Sequence, residues 1–328
     1  MPAIQISPEH VAWFAQRHAG LLGNVERVIS GKREVLGLAL NCLFAEGHLL
    51  IEDVPGVGKT SIAKALASSM DASWHSVQFT PDLLPSDITG VAIWNQRSAE
   101  FEFRPGAVFS NIVVGDEINR ASPKTQSALL EVMEERQVTF DSVTHQVPRP
   151  FIVIATQNPI DLEGTYRLPE AQLDRFLMRI EVGYPDAEAE TEILAARVHA
   201  TTPPHVGPVI TTDDVRAMIE VAASVHVDAA LHRYIVALSS ATRSLSQVRL
   251  GVSPRGSLAL LRASQARAAA AGRGYVLPED VKVLAVAVLA HRLVLTADAE
   301  LAGRSSADLI HAALSSVPVP DLGAGARR

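Results

Sequence analysis

The stretch Asp53-Val54-Pro55-Gly56-Val57-Gly58-Lys59-Thr60 limits what this chain can fold into more than any other. The apolar run Leu49-Leu50-Ile51 precedes it, and the helical pattern Ser61-Ile62-Ala63-Lys64-Ala65-Leu66-Ala67 follows it. Buried strand, glycine-bearing turn and helix together form the context in which a phosphate-binding loop works. Backbone amides of Gly56, Val57 and Gly58 can wrap phosphate oxygens, and the new helix presents its positive end to them. Lys59 is placed to reach the outer phosphates and Thr60 to bind Mg²⁺, with Pro55 and Ser61 completing the candidate loop. One position departs from the general pattern: Asp53 stands where such loops usually carry Gly. A carboxylate about 4 Å from a triphosphate would repel it by roughly 1–4 kcal/mol. Asp53 is therefore expected to turn away and pair with a basic group or a backbone amide.

Hydrolysis needs a second set of groups. The run Ile112-Val113-Val114-Gly115-Asp116-Glu117 reads as a buried strand ending in two acids. Mg²⁺ is held through one or two carboxylates and phosphate oxygens while keeping several waters. Asp116 suits that role, and Glu117 can accept a proton from an attacking water; the bland alternative is that both acids solvate a strand end. Asn158 follows another apolar run, Phe151 to Ala155, at the strand end that faces the ligand crevice of a parallel sheet. It either orients the attacking water or forms a turn before Pro159. Arg175 suits a simple ion pair with Asp174 or a finger reaching a neighbouring subunit's nucleotide. Arg255 follows Ser253 and Pro254 at the start of a helix, where a cation opposes the macrodipole by a few tenths of a kcal/mol. Either solvent tolerates that cost or an anion offsets it, and the γ-phosphate is the obvious anion.

A chain of 328 residues suits two domains. Strand-like runs at 48–53, 77–79, 112–117, 151–155 and 178–182 alternate with helical patterns, which predicts a parallel α/β sheet. Segment 83–109, with Pro85, Gly90, Pro105 and Gly106, reads as a helix interrupted by a hairpin, and 138–147 as a second hairpin. From Tyr184-Pro185-Asp186 onward the pattern is helical, over 187–199, 213–225, 229–244, 254–271, 278–291 and 305–314. The expected division is an α/β domain over 1–184, a helical domain over 185–316 and a Pro/Gly/Ala-rich tail over 317–328. The net charge of −7 argues against a surface for non-specific nucleic acid or anionic membranes. No apolar run approaches the roughly 20 residues that span a bilayer. The N-terminal stretch lacks the basic start and apolar core of a leader, so a cytoplasmic setting is expected. Cys42 is the single cysteine, and the eleven histidines show no zinc-site spacing.

Taken with their order, these motifs make the chain resemble the MoxR family of AAA+ ATPases over nearly its whole length. The resemblance is carried by Gln78-Phe79-Thr80-Pro81-Asp82-Leu83-Leu84-Pro85-Ser86-Asp87-Ile88-Thr89-Gly90 and Asp116-Glu117-Ile118-Asn119-Arg120-Ala121. Ala155-Thr156-Gln157-Asn158-Pro159, the segment from Gly164 to Phe176 and Ser253-Pro254-Arg255 extend it. It implies a phosphate-loop NTPase sheet of five parallel strands in the order 5-1-4-3-2, followed by an all-helical lid. ATP or ADP would lie between the two domains at a subunit boundary. By family motif, Lys59 and Thr60 belong to Walker A, and Asp116 and Glu117 to Walker B. Asn158 matches sensor 1, Arg175 the arginine finger and Arg255 sensor 2, while Val28, Ile29 and Gly31 match the segment against the adenine. Segment 83–109 matches the clade's helix-2 insert, and 138–147 its pre-sensor hairpin. The implied activity is Mg²⁺-dependent ATP hydrolysis in a hexameric ring that remodels or activates client proteins, often through a von Willebrand factor A-type adaptor. Alternatives are the motor subunit of a metal-chelatase-like complex, a DNA-dependent ATPase and a nucleotide-binding scaffold without turnover. The 80–90 motif favours MoxR over the chelatases, the negative charge weighs against DNA, and a scaffold leaves Glu117 and Asn158 unexplained.

Overall fold

The computed structural model describes residues 6–29, 31–54, 56–97, 99–159, 165–185, 187–188, 190–191 and 206–321. Four apolar runs and one largely exposed, polar edge strand make one sheet: β1 (Leu49–Glu52), β2 (Trp74–Gln78, expected over 77–79), β3 (Ile112–Asp116), β4 (Ile152–Gln157) and β5 (Met178–Ile180), with β2 at the edge. Their order is 5-1-4-3-2, as expected, and every neighbouring pair is parallel. Side chains alternate across the sheet. Leu49, Ile51, Ile112, Val114, Ile152, Ile154, Met178 and Ile180 join one core, while Leu50, Val113, Val153 and Ala155 join another. With both faces covered, the central strands read as unbroken apolar runs rather than alternating ones. Each fully buried Leu or Ile contributes about 1.5–3 kcal/mol.

Helices α1 (Pro8–Glu26), α2 (Arg33–Phe44) and α3 (Lys59–Ser68) supply the first core, and α4 (Pro123–Glu135) the second. Ser7 and Pro8 start α1 as their types dictate, and its buried stripe runs on to Leu21, Leu22 and Val25. Ser122 caps α4 by accepting the Thr125 amide at 3.4 Å. The C-terminal part contains α5 (Thr212–Ala223), α6 (Ala229–Ser244), α7 (Pro254–Ala270), α8 (Pro278–Leu289) and α9 (Ser306–Ser316). Most of the helix expected over 187–199 lies outside the described residues. The first core runs unbroken from Phe14 and Leu40 through the sheet to Leu260, Ala263 and Leu284. Among the described residues no gap in this core falls at residue 184.

Segment 83–109 contains one helical turn (Pro85–Thr89) and a hairpin pairing Gly90–Asn95 with Glu100–Pro105. A second hairpin pairs Gln137–Phe140 with Val143–Gln146. The two meet through aromatic rings, with Phe103 stacked on His145 at 4.3 Å and edge-on to Phe109 at 5.5 Å. Several small elements among the described residues escape the sequence pattern, including the pairings of Val248–Leu250 with Val294–Leu295 and of Met70–Asp71 with Ile210–Thr211, and a helix over Ala297–Leu301. All are too short for periodicity to carry.

Candidate nucleotide site

Strand register brings the phosphate loop and the acids together. Glu52 lies opposite Gln157, and Gly115 opposite Ala155, so β1, β3 and β4 finish level. Asp53, Asp116, Glu117 and Asn158 therefore leave the sheet at one edge, its carboxyl edge. Gly56 and Gly58 hold φ of +86° and +89°, a conformation cheap only for glycine, and α3 starts at the next residue. The amides of its first turn have no intrahelical acceptors and are available to an anion. Pro55 lies outside the described residues, and Ser61 is exposed in the first turn of α3. Val28 and Ile29 are partly buried against the core, and Gly31 follows them with φ of +71°.

Each polar group at this edge has named partners. The Lys59 ammonium donates to the carbonyl of Gln157 at 3.0 Å and to that of Asp53. Burial lowers its pKa, and the negative charges of Asp53, Asp116 and Glu117 oppose that shift. Asp116 Oδ1 accepts from the hydroxyls of Thr60 at 2.9 Å and Thr156 at 2.5 Å. Hydroxyl and carboxylate oxygens are hard donors of the kind Mg²⁺ takes, so Thr60 and Asp116 fit that ion. Glu117 adopts φ of +55°, uncommon for a residue with a Cβ. Its amide donates to Thr156 Oγ1 at 3.0 Å, and its Oε2 accepts from Gln78 at 3.1 Å and Arg120 at 2.8 Å. Asn158 is buried beside this group, and its carbonyl accepts from Asn119 at 3.2 Å. Asp53 does turn from the loop interior, toward amides rather than a base. Its Oδ2 accepts from Val182 at 2.8 Å and Gly183 at 2.6 Å, and its Oδ1 from Val54 at 2.7 Å.

Arg175 and Arg255 occupy the other edge. Arg175 precedes β5, His48 precedes β1, and α4 returns there with its last turn. Glu134 in that turn binds both arginines, Arg175 Nε at 3.1 Å and Arg255 Nη1 at 3.2 Å. The length of β1, about 13 Å, separates this edge from the loop. Within this chain the anion opposite Arg255 is Glu134, and Arg255 lies away from the phosphate loop of its own chain. Its helix starts at the amino edge because Ser253, which caps it, donates to Asp174 Oδ2 at 3.2 Å. Asp174 Oδ1 accepts from Arg292 Nε at 2.7 Å, so Asp174 pairs with Arg292 rather than with Arg175. Arg292 is buried and also donates to the carbonyls of Phe176 at 2.7 Å and Leu177 at 3.3 Å.

These groups line a cleft of about 380 Å³ in which Arg136, Arg175, Arg255, Arg262 and Arg292 outnumber Glu46, Glu134 and Asp174. His48 at its base is neutral: Nδ1 accepts the Val153 amide at 3.0 Å, leaving Nε2–H for the Met133 carbonyl at 3.0 Å. Burial lowers its pKa to about 4, and the charges of Arg136 and Arg255 add to the effect. The roles first assigned from sequence omit Gln78, Thr156 and Glu134. Glu134 did carry a signal. An acid in the last turn of a helix opposes the macrodipole just as Arg255 does in a first turn, and each relieves the other.

Two family models match the chain. The ATPase family associated with various cellular activities (AAA) matches residues 48–178, and the AAA lid domain matches residues 240–313. The fold and loop thus define an AAA-type phosphate-loop ATPase. The chain is 43% identical to Chaperone MoxR1 of Mycobacterium tuberculosis, over 92% of its own length and 81% of the relative's. It is 48% identical to the uncharacterized protein YeaC of Bacillus subtilis, over 90% of this chain and 93% of that one. MoxR of Paracoccus denitrificans is 33% identical, over 94% and 97% of the two chains. The solved structure of a candidate ATPase from Cytophaga hutchinsonii superposes with a TM-score of 0.88 at 38% identity, covering 95% of this chain and 98% of that one. The chain belongs to the MoxR family of AAA+ ATPases. Among the described residues no helix is long and apolar enough to cross a membrane.

Proposed function

We propose that this ATPase works as a ring of identical subunits, each site formed by the carboxyl edge of one copy and the amino edge of the next. The observation that carries this reading is the pairing of Arg175 and Arg255 with Glu134 at the edge opposite the loop. In it, Lys59 and the first amides of α3 bind the β- and γ-phosphates, while Val28, Ile29 and Gly31 lie against the adenine. Thr60 and Asp116 would hold Mg²⁺, which would supply neutralising charge for the phosphate oxygens. Glu117 takes the proton of the attacking water and Asn158 orients it. Arg175 and Arg255 of the adjacent copy stabilise the charge that develops on the transferred phosphoryl group. Head-to-tail contacts of this kind close into rings, and the family resemblance supports six subunits.

The similarity to a relative named Chaperone MoxR1 supports remodelling of client proteins as the output. We take the client to be reached through an adaptor of von Willebrand factor A type, and the chain to divide functionally near residue 184. ATP turnover per subunit is expected to rise with protein concentration as rings sediment. Turnover as fast at nanomolar as at micromolar chain, unaffected by Arg175→Ala, would refute the shared site. Affinity capture on ATP-loaded Glu117→Gln is expected to recover an A-domain protein.

A further inference from the structure

Asp53 departs from the usual loop residue, and its contacts give the departure a use. Beyond Ile180, the last residue of β5, the chain enters the segment leading to the C-terminal helices. There the Asp53 carboxylate takes the amides of Val182 and Gly183 that the strand ladder no longer serves, at 2.8 and 2.6 Å. Hydrogen bonds to an ionised carboxylate are roughly twice as strong as neutral ones. The carbonyl of the same residue accepts the Lys59 ammonium. From the far side Lys32 Nζ donates to the carbonyl of Tyr184 at 2.8 Å. Residues 182–184 are thus held between the phosphate loop and the segment assigned to the adenine.

We propose that Asp53 is a positioning residue that fastens the phosphate loop to the exit of β5, so that nucleotide at the loop orders the segment entering the lid. A glycine at position 53 can hold neither amide. The inference rests on the nucleotide-site reading given above, and hydrogen exchange separates the two. In the native chain ADP is expected to slow exchange of the Val182 and Gly183 amides about fivefold. In Asp53→Gly the same amides should exchange about tenfold faster without nucleotide and gain no protection from ADP, while ADP affinity stays within about threefold. Asp53→Asn keeps one oxygen acceptor and loses the charge, so its protection should be intermediate; it decides the question if the glycine variant does not fold. Protection by ADP equal to that of the native chain, in whichever of these variants folds, overturns the proposal. A native chain that binds no ADP overturns the nucleotide-site reading and the inference together.

Discussion

At the carboxyl edge of the sheet, Lys59, Thr60, Asp116 and Glu117 are bound to groups that leave β1, β3 and β4 side by side. At the amino edge, two arginines lean on one carboxylate. The first arrangement is closed within a single chain. The second has a buried base and more open tips: Arg292 keeps 2% of its side-chain surface and Asp174 23%, whereas Arg175, Arg255 and Glu134 keep 28, 42 and 39%. Ion pairs this exposed contribute about 0–1 kcal/mol. A neighbouring copy's phosphates can therefore draw the arginines away at little cost, while the buried base keeps them aimed. The contrast is what a site divided between two subunits requires.

The largest expected effect breaks the amino edge alone. Arg175→Ala should lower ATP turnover by about 10³ with nucleotide affinity nearly unchanged, read from steady-state kinetics beside ADP titration. Arg292→Met attacks the base beneath the tips. It leaves Asp174 with Ser253 as its donor, removes the donors from the Phe176 and Leu177 carbonyls, and should cost about 1–3 kcal/mol, seen as a lower urea midpoint. Acid should strike the same edge. His48 and, elsewhere in the core, His18 are held neutral with pKa lowered to about 4 from an ordinary 6.5. The unfolded chain takes up protons below about pH 6.5 that the folded chain refuses until about pH 4. Stability is therefore full above that window and lost as pH falls through it, by about 3 kcal/mol for each histidine, checked by thermal unfolding from pH 7.5 to 4. Glu134→Gln gives the smallest effect. It should alter stability by less than about 1 kcal/mol yet lower the KM for ATP by about two- to fivefold, since the arginines no longer leave a carboxylate; an unchanged KM counts against loose tips.

The parallel sheet and the carboxyl edge were legible because their signals are local, whereas the order 5-1-4-3-2 came only with the family resemblance. Four of the five strands are short apolar runs, and Gly56 to Thr60, or Asp116 with Glu117, are contiguous in sequence. That Asp53 turns away also followed from repulsion, but whether a base or an amide receives it did not; its amide partners Val182 and Gly183 lie 129 and 130 residues away. What escaped was distant pairing. Arg255 advertised a missing anion, but naming Glu134 required knowing that α4 returns its last turn to the edge where α7 begins. Thr156, wedged between Asp116 and the Glu117 amide, carries no signal in a strand-end sequence beyond its place in a motif.

Mixing two dead variants tests the divided site most directly. Glu117→Gln damages only the carboxyl edge and Arg175→Ala only the amino edge. In an equal mixture, roughly a quarter of the interfaces join an intact carboxyl edge to an intact amino edge. Turnover should recover to about that share of the native rate. A mixture no more active than the average of its two components would contradict the account.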